Sequence, residues 1–362
     1  MKNSAKTRYF SFAEVLVNLI PPAMQKCCAL PNQPGLRYSL TRWARSAHPN
    51  KKKMIWRGAF SAGFFAEEWI LTDQHRSIAR GLITATAVLL CVFFGFLLAG
   101  QVTAFFGVFT TLPVLALGVL FSAGALWVYF RWDDEAWLPA MRNKNADSQK
   151  PVWLNRSAYL AALAILALTM LVPLARWPYS PVSDVLHWDA GAYHFPKAIE
   201  LFKTGTYWDL SIPYGEYPNG FESLLSISLL LTGHEALFGA LHALIALFAF
   251  LVFWQLVWRY TRLPGGLAAL VIAAIYISGK MATGGNPFWI FSNQIFMIGK
   301  NDLLMTTAVL AAALHGPFGP RENRARYHLP GMVFATAIVF MVKPTGIYAA
   351  ALIWLPVLWR WV

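Results

Sequence analysis

Charge is scarce in this 362-residue chain: Asp, Glu, Lys and Arg make up 13% of it, about half the share of an ordinary soluble domain. Between residues 81 and 130 there is none at all. With 57% hydrophobic residues, 16 Trp and 26 Phe, one water-facing core cannot hide so much apolar surface. About 20 apolar residues cross a bilayer, so 81–130 alone offers two crossings. Soluble, fibrous and disordered classes are excluded. The chain reads as an all-α polytopic membrane protein.

Cysteine is nearly absent too. Cys27, Cys28 and Cys91 are too few for a disulfide framework, and no metal-ligand spacing accompanies them. The vicinal pair reads as inert thiols, with palmitoylation as the alternative. The first 25 residues do not read as a cleaved signal peptide either, because Glu14 and Asn18 interrupt the first apolar stretch and Pro21-Pro22 follows it. No internal repeat, phosphate-cradling glycine loop or zinc spacing occurs.

Acids are outnumbered, giving a net charge of +13. Nucleic acid is not the implied partner, since no binding module or reading helix is visible. Residues 1–80 hold 13 of the 30 basic residues against four acids (Glu14, Glu67, Glu68, Asp73). That is the bias of Lys and Arg toward cytoplasmic segments, and Lys51-Lys52-Lys53 suits anionic membrane lipids.

Apolar segments at 81–101, 104–130, 157–175, 236–258, 263–279, 303–318, 329–342 and 344–361 predict about eight spans. Four parts follow: a basic cytoplasmic region over 1–79, a two-helix membrane hairpin over 80–130, a cytoplasmic loop over 131–156 and a core over 157–362. With the amino terminus inside, the inner loops carry Arg131, Arg142, Lys144, Lys150 and Arg156, then Arg259 with Arg262, then Arg321, Arg324 and Arg326. Residues 281–299, broken by Gly284-Gly285-Asn286-Pro287, read as an outer loop.

The outer loop 176–222 reverses the basic balance, with six acids (Asp184, Asp189, Glu200, Asp209, Glu216, Glu222) against Arg176, Lys197 and Lys203. Pro196 suits a first helical turn and Gly205 a stop. Phe195, Ile199 and Phe202 share one face, and Lys197, Glu200 and Lys203 another. This predicts an amphipathic helix lying flat on the outer interface. A Tyr217-Pro218-Asn219-Gly220 turn then opens a second apolar helix, Phe221 to Leu231.

Ionisable residues at a membrane boundary are costly and are candidate functional groups. Four places qualify. Asp184 and Asp189 precede Tyr193 and His194, and Asp189 could accept a hydroxyl proton, hold a divalent cation or cap the following helix. Glu222 heads the second apolar helix, where it would also offset the helix dipole. Lys300 and Asp302 stand where the sixth span enters from outside; two residues apart, they do not share a helix face. Lys343 precedes Pro344-Thr345-Gly346 and is the lone charge between His328 and Arg360, suited to a phosphate or to snorkelling. His234 and His242 read as packed or interfacial.

In combination these motifs resemble a family. Asp189-Ala-Gly-Ala-Tyr193-His194-Phe-Pro196 resembles the acidic motif of the first large outer loop in GT-C type integral membrane glycosyltransferases, the superfamily of protein mannosyltransferases and lipid-sugar transferases. Tyr217-Pro218-Asn-Gly220-Phe-Glu222 resembles the motif closing that loop. Gln294 to Asp302 resembles a short later outer motif, and Lys343-Pro344-Thr-Gly346 its lysine-glycine element. The likeness covers 157–362; family members usually continue through further spans, and the motif near Asp184 and Asp189 lacks a clean Asp-x-Asp pair, which leaves metal dependence open.

The resemblance implies inverting transfer of a sugar from a polyprenyl-phosphate or polyprenyl-diphosphate donor to a lipid, glycan or protein acceptor. It places the site on the outer face of the inner (plasma) membrane. It implies Asp189 as the general base or the carboxylate for a divalent cation, with Asp184 binding substrate. Tyr193, His194, Glu222 and Asp302 would shape the pocket, and Lys343 with Lys300 would hold the lipid phosphate. Two alternatives are a transporter, which normally shows paired halves and midplane charges, and a non-catalytic membrane assembly partner.

Overall fold

A computed structural model describes residues 62–132, 152–176, 190–209, 211, 219–261, 263–281, 300–316, 328–343 and 345–361. Among them every regular element is helical. The α-helices are α1 (Ala62–Phe105), α2 (Thr111–Arg131), α3 (Val152–Arg176), α4 (Phe195–Thr204), α5 (Gly220–Thr232), α6 (Phe238–Tyr260), α7 (Gly265–Met281), α8 (Asp302–His315), α9 (Leu329–Val342) and α10 (Gly346–Trp361). A π turn, Ala190–His194, leads into α4, and a 3-10 turn, Glu235–Leu237, leads into α6. The Asp184 and Asp189 assignments, the amino-terminal region before 62, and the loop expected over 282–299 lie outside the described residues.

Among the described residues, three stretches are long and apolar enough to cross a membrane: Gly81–Phe105, Thr111–Arg131 and Glu235–Tyr260. Gly220–Thr232, Gly265–Tyr276, Asp302–His315, Leu329–Val342 and Gly346–Trp359 are apolar but shorter. A 14-residue helix such as α8 spans about 21 Å against a hydrocarbon core of about 30 Å. By length and composition, three of the expected spans are seen among the described residues.

The first hairpin turns later than the sequence suggested. Thr103 continues α1 because its hydroxyl donates back to the carbonyl of Ala99 at 2.7 Å, satisfying it within the helix. The reversal falls on Gly107, whose φ of 69° is open to glycine at little cost.

Small residues set how closely the helices approach. A Cβ on Gly95 of α1 would collide with Ser122 of α2, and one on Gly266 of α7 with the backbone of Asn155 in α3. The Gly266 N–H instead donates to Asn155 Oδ1 at 2.6 Å. Such small-residue contacts let helices associate by van der Waals packing where lipid removes the hydrophobic drive. α1 also packs into the rest of the bundle. Phe93 lies 5.6 Å from Phe248 of α6 and Phe94 stacks at 4.7 Å on Phe334 of α9, ring centre to ring centre. Gln255 of α6 donates to Thr86 of α1 at 2.5 Å.

α6 carries much of the buried aromatic core. Phe248, Phe250 and Trp254 are fully buried, Trp254 stacks on Trp258, and Tyr276 of α7 donates to the carbonyl of Ala246 at 3.0 Å. Large apolar side chains also face outward. Leu112, Val119, Leu120 and Trp127 on α2 and Leu352, Leu355 and Trp359 on α10 are more than half exposed. An outward apolar face is costly in water and suits contact with lipid.

Candidate functional site

The helix expected after residue 194 forms as the sequence indicates. Pro196 occupies its first turn, and Gly205, at φ 72°, donates its N–H to the carbonyl of Leu201 to end it. Its buried stripe is different. Lys197 was expected on a solvated face, yet it is buried together with Ala198 and Leu201, at 1% exposure. Positions 194, 197/198 and 201 recur at helical spacing, and this stripe packs α4 against α5. Phe195, Ile199 and Phe202 are only partly buried beside it.

α5 follows almost entirely buried from Gly220 to Leu229, which brings its first-turn Glu222 inside. The His194 Nδ1–H donates to Glu222 Oε1 at 2.6 Å, with His194 2% and Glu222 4% exposed. The sequence offered helix-dipole compensation for Glu222; the structure adds a buried imidazole partner. The other atoms of the pair, His194 Nε2 and Glu222 Oε2, are enclosed and have no hydrogen-bond partner among the described residues. Buried polar atoms are nearly always bonded, so two orphans on one pair stand out. Beside them the Lys197 ammonium donates to Asn219 Oδ1 at 3.1 Å, and the Tyr207 hydroxyl donates to the carbonyl of Asn219 at 3.1 Å. Tyr193 lies against the imidazole, 4.2 Å between ring centres.

A second group forms around Asp302 in the first turn of α8. Lys343 donates to its Oδ1 at 2.5 Å, and Lys300 approaches Oδ2 at 3.3 Å. Lys300 and Asp302 do not share a helix face, as expected from their spacing, yet their side chains meet. Lys300 lies before the helix rather than on it, so the i, i+2 rule for helix faces does not govern the pair. Lys343 ends α9, as its place before Pro344 implied, and the chain resumes as α10 at Gly346. Each oxygen of one carboxylate faces one ammonium, so the triad keeps a formal charge of +1. Its side chains are 15–32% exposed, open enough to receive a partner.

Both groups lie at one end of the bundle. A Cβ on Gly220, two residues before Glu222, would collide with the carbonyl of Met341, two residues before Lys343. Asn301 Nδ2 donates to the carbonyl of Val342 at 3.4 Å, tying the start of α8 to the end of α9. Lys197, Asn219 and Asn301 were not singled out from the sequence. The helical stripe through His194 would have found Lys197; Asn219 was read only as part of a turn, and nothing local marks Asn301.

The remaining assignments divide plainly. Tyr193, His194 and Glu222 come together, as do Lys300, Asp302 and Lys343; Asp184 and Asp189 are outside the described residues. Among the described residues no three His, Cys, Asp or Glu gather as a metal site would require. His234 caps the turn before α6, accepting from the Ala236 N–H at 3.2 Å, and His242 is buried in α6.

A second polar cluster sits at the opposite end of α8 and α9. The His315 Nδ1–H donates to the carbonyl of Ala311 at 2.7 Å, leaving Nε2 to accept from the Tyr129 hydroxyl at 2.9 Å. His328 Nδ1 accepts from the Gly331 N–H at 3.1 Å, so its Nε2–H donates to the carbonyl of Tyr129 at 3.0 Å. Arg259 donates to the carbonyl of Leu314. Backbone partners thus fix both tautomers.

No family model, curated protein or solved structure matches this chain.

Proposed function

We propose that the chain is a membrane glycosyltransferase of GT-C type, with about eight spans, moving a sugar from a polyprenyl-(di)phosphate donor to a lipid, glycan or protein acceptor with inversion. The observation that carries this reading is the convergence on one end of the bundle of the Lys300–Asp302–Lys343 triad and the His194–Glu222 pair. The charge bias of the loops makes that end the outer one. A transferase of this kind needs a cationic site for the phosphate as it departs and a proton acceptor for the attacking hydroxyl. The triad supplies the first. Asp189, five residues before His194, supplies the second or holds a divalent cation.

The chemistry is a displacement at the anomeric carbon. The acceptor hydroxyl attacks as its proton is taken, and the bond to the donor phosphate breaks on the opposite face. Lys343 and Lys300 then stabilise the phosphate oxygens, which gain charge in the transition state. Asp302 holds both ammonium groups in place and keeps them from repelling each other.

The test uses the full chain in lipid nanodiscs with a panel of synthetic short-chain polyprenyl-phosphate hexoses and pentoses, radiolabelled in the sugar, and a membrane extract as acceptor source. Label leaves the donor in the wild type and stays on it in Asp189→Asn, which inserts normally. Full transfer by Asp189→Asn removes that residue from its role. Solute uptake into liposomes without any sugar transfer would replace the reading with transport.

A further inference from the structure

The His194–Glu222 pair has a geometry that pocket lining does not require. A carboxylate accepts from Nδ1 at 2.6 Å, which in the neutral imidazole leaves Nε2 with a lone pair. Nε2 is enclosed and unpartnered among the described residues, and so is the second carboxylate oxygen. With the imidazole in that neutral form and the carboxylate ionised, both orphans are acceptors, so what they lack is a donor. Leaving each buried and unbonded costs about 1–3 kcal/mol, which favours a guest carrying hydroxyl protons. An imidazole oriented by a carboxylate, with its far nitrogen free and shielded from bulk water, is how a protein builds a general base.

We infer that His194, held by Glu222, is the proton acceptor for the attacking hydroxyl, an inference that rests on the transferase reading above. The hydroxyl proton passes to Nε2 while the hydroxyl oxygen forms its bond to the anomeric carbon. The bond from that carbon to the phosphate oxygen breaks, and its electron pair leaves with the phosphate on Lys343 and Lys300. The imidazolium that results keeps its Nδ1–H on the Glu222 carboxylate, which stabilises the new charge. The proton later returns to water, so no oxidant or further reactant is needed. Asp189 is then left with the cation-holding role.

The experiment follows transfer from the same synthetic polyprenyl-phosphate sugars by the full chain in nanodiscs, with thermal unfolding and binding of short-chain polyprenyl phosphate measured on each variant. His194→Gln keeps a partner for Glu222 and removes the base, so transfer falls by at least about 100-fold while lipid-phosphate binding stays within threefold. Glu222→Gln retains an acceptor for Nδ1–H but loses the charge that stabilises the imidazolium, so transfer falls by less than in His194→Gln. Added imidazoles restore His194→Ala, faster as their basicity rises. Transfer by His194→Gln within threefold of wild type overturns the inference, and if Asp189→Asn is inactive in the same assay the transferase reading survives it. A loss in His194→Gln that no imidazole restores in His194→Ala, and that tracks a lowered unfolding temperature, assigns the pair to structure and also overturns it. Absence of transfer by the wild type across the whole panel overturns both.

Discussion

The two ends of α8 and α9 use similar residues to opposite effect. At one end Tyr129, His315 and His328 bond to one another and to backbone groups, and each imidazole has a defined use for both nitrogens. At the other, His194 and Glu222 spend one atom each on their mutual bond and leave one each unsatisfied. A fully bonded buried network rigidifies a fold, whereas a partly bonded one is a cost unless something else completes it. The comparison separates a clamp from a site. Histidine at a helix end is not informative by itself; what its second nitrogen does is.

Substitutions sharpen that contrast, beginning with the largest expected effect. Glu222→Leu leaves the His194 Nδ1–H buried without its acceptor and removes one member of a buried pair. A buried donor left without its acceptor costs about 1–3 kcal/mol, and the loss of the packed carboxylate adds to it, so unfolding in detergent should show the steepest fall in stability. An equal fall in Glu222→Gln would show that charge, and not the hydrogen bond, holds the pair.

At the clamp, Gly331→Ala comes next. Its Cβ would collide with the His315 ring, and that ring is fixed from both sides by Ala311 and Tyr129. Overpacking of this kind costs about 1–3 kcal/mol. Stability falls, while binding of polyprenyl phosphate at the far end is unchanged. Coupled loss of that binding would break the separation of the two ends.

Tyr129→Phe is milder. It takes the donor from His315 Nε2 but spares the Tyr129 carbonyl that His328 uses. About 1 kcal/mol is expected, read as a small drop in unfolding temperature with sugar transfer unaffected.

How much of this was legible in the sequence depends on sequence distance. Pro196 and Gly205 bounded α4 correctly because caps act over one turn, and Lys343 was marked by the proline after it. The place of Asp302 at the head of α8 could likewise be read locally. The pairings could not. His194 meets Glu222 across 28 residues, and Tyr129 meets His315 across 186, so only helix packing decides them. Lys197 misled for another reason: a charged residue three from Glu200 and six from Lys203 suggested a solvated face, but helical spacing equally aligns it with His194 and Leu201. Burial of α5 selected the second alignment. The span count was read from uncharged length, and among the described residues three stretches are long and apolar enough to cross a membrane.

The smallest effect tests the triad. Lys300→Ala removes a contact of 3.3 Å at a carboxylate that is a quarter exposed. A pair open to solvent to this degree contributes about 0–1 kcal/mol, so stability should barely move. Asp302 then has one cation instead of two, and the triad's formal charge falls from +1 to zero. If the triad receives a lipid phosphate, binding of short-chain polyprenyl phosphate weakens several-fold in Lys300→Ala and recovers in Lys300→Arg. The two substitutions bind alike if Lys300 serves only to snorkel at the rim. Stability and binding are then moved by different residues at the same end of the molecule, Glu222 by burial and Lys300 by net charge.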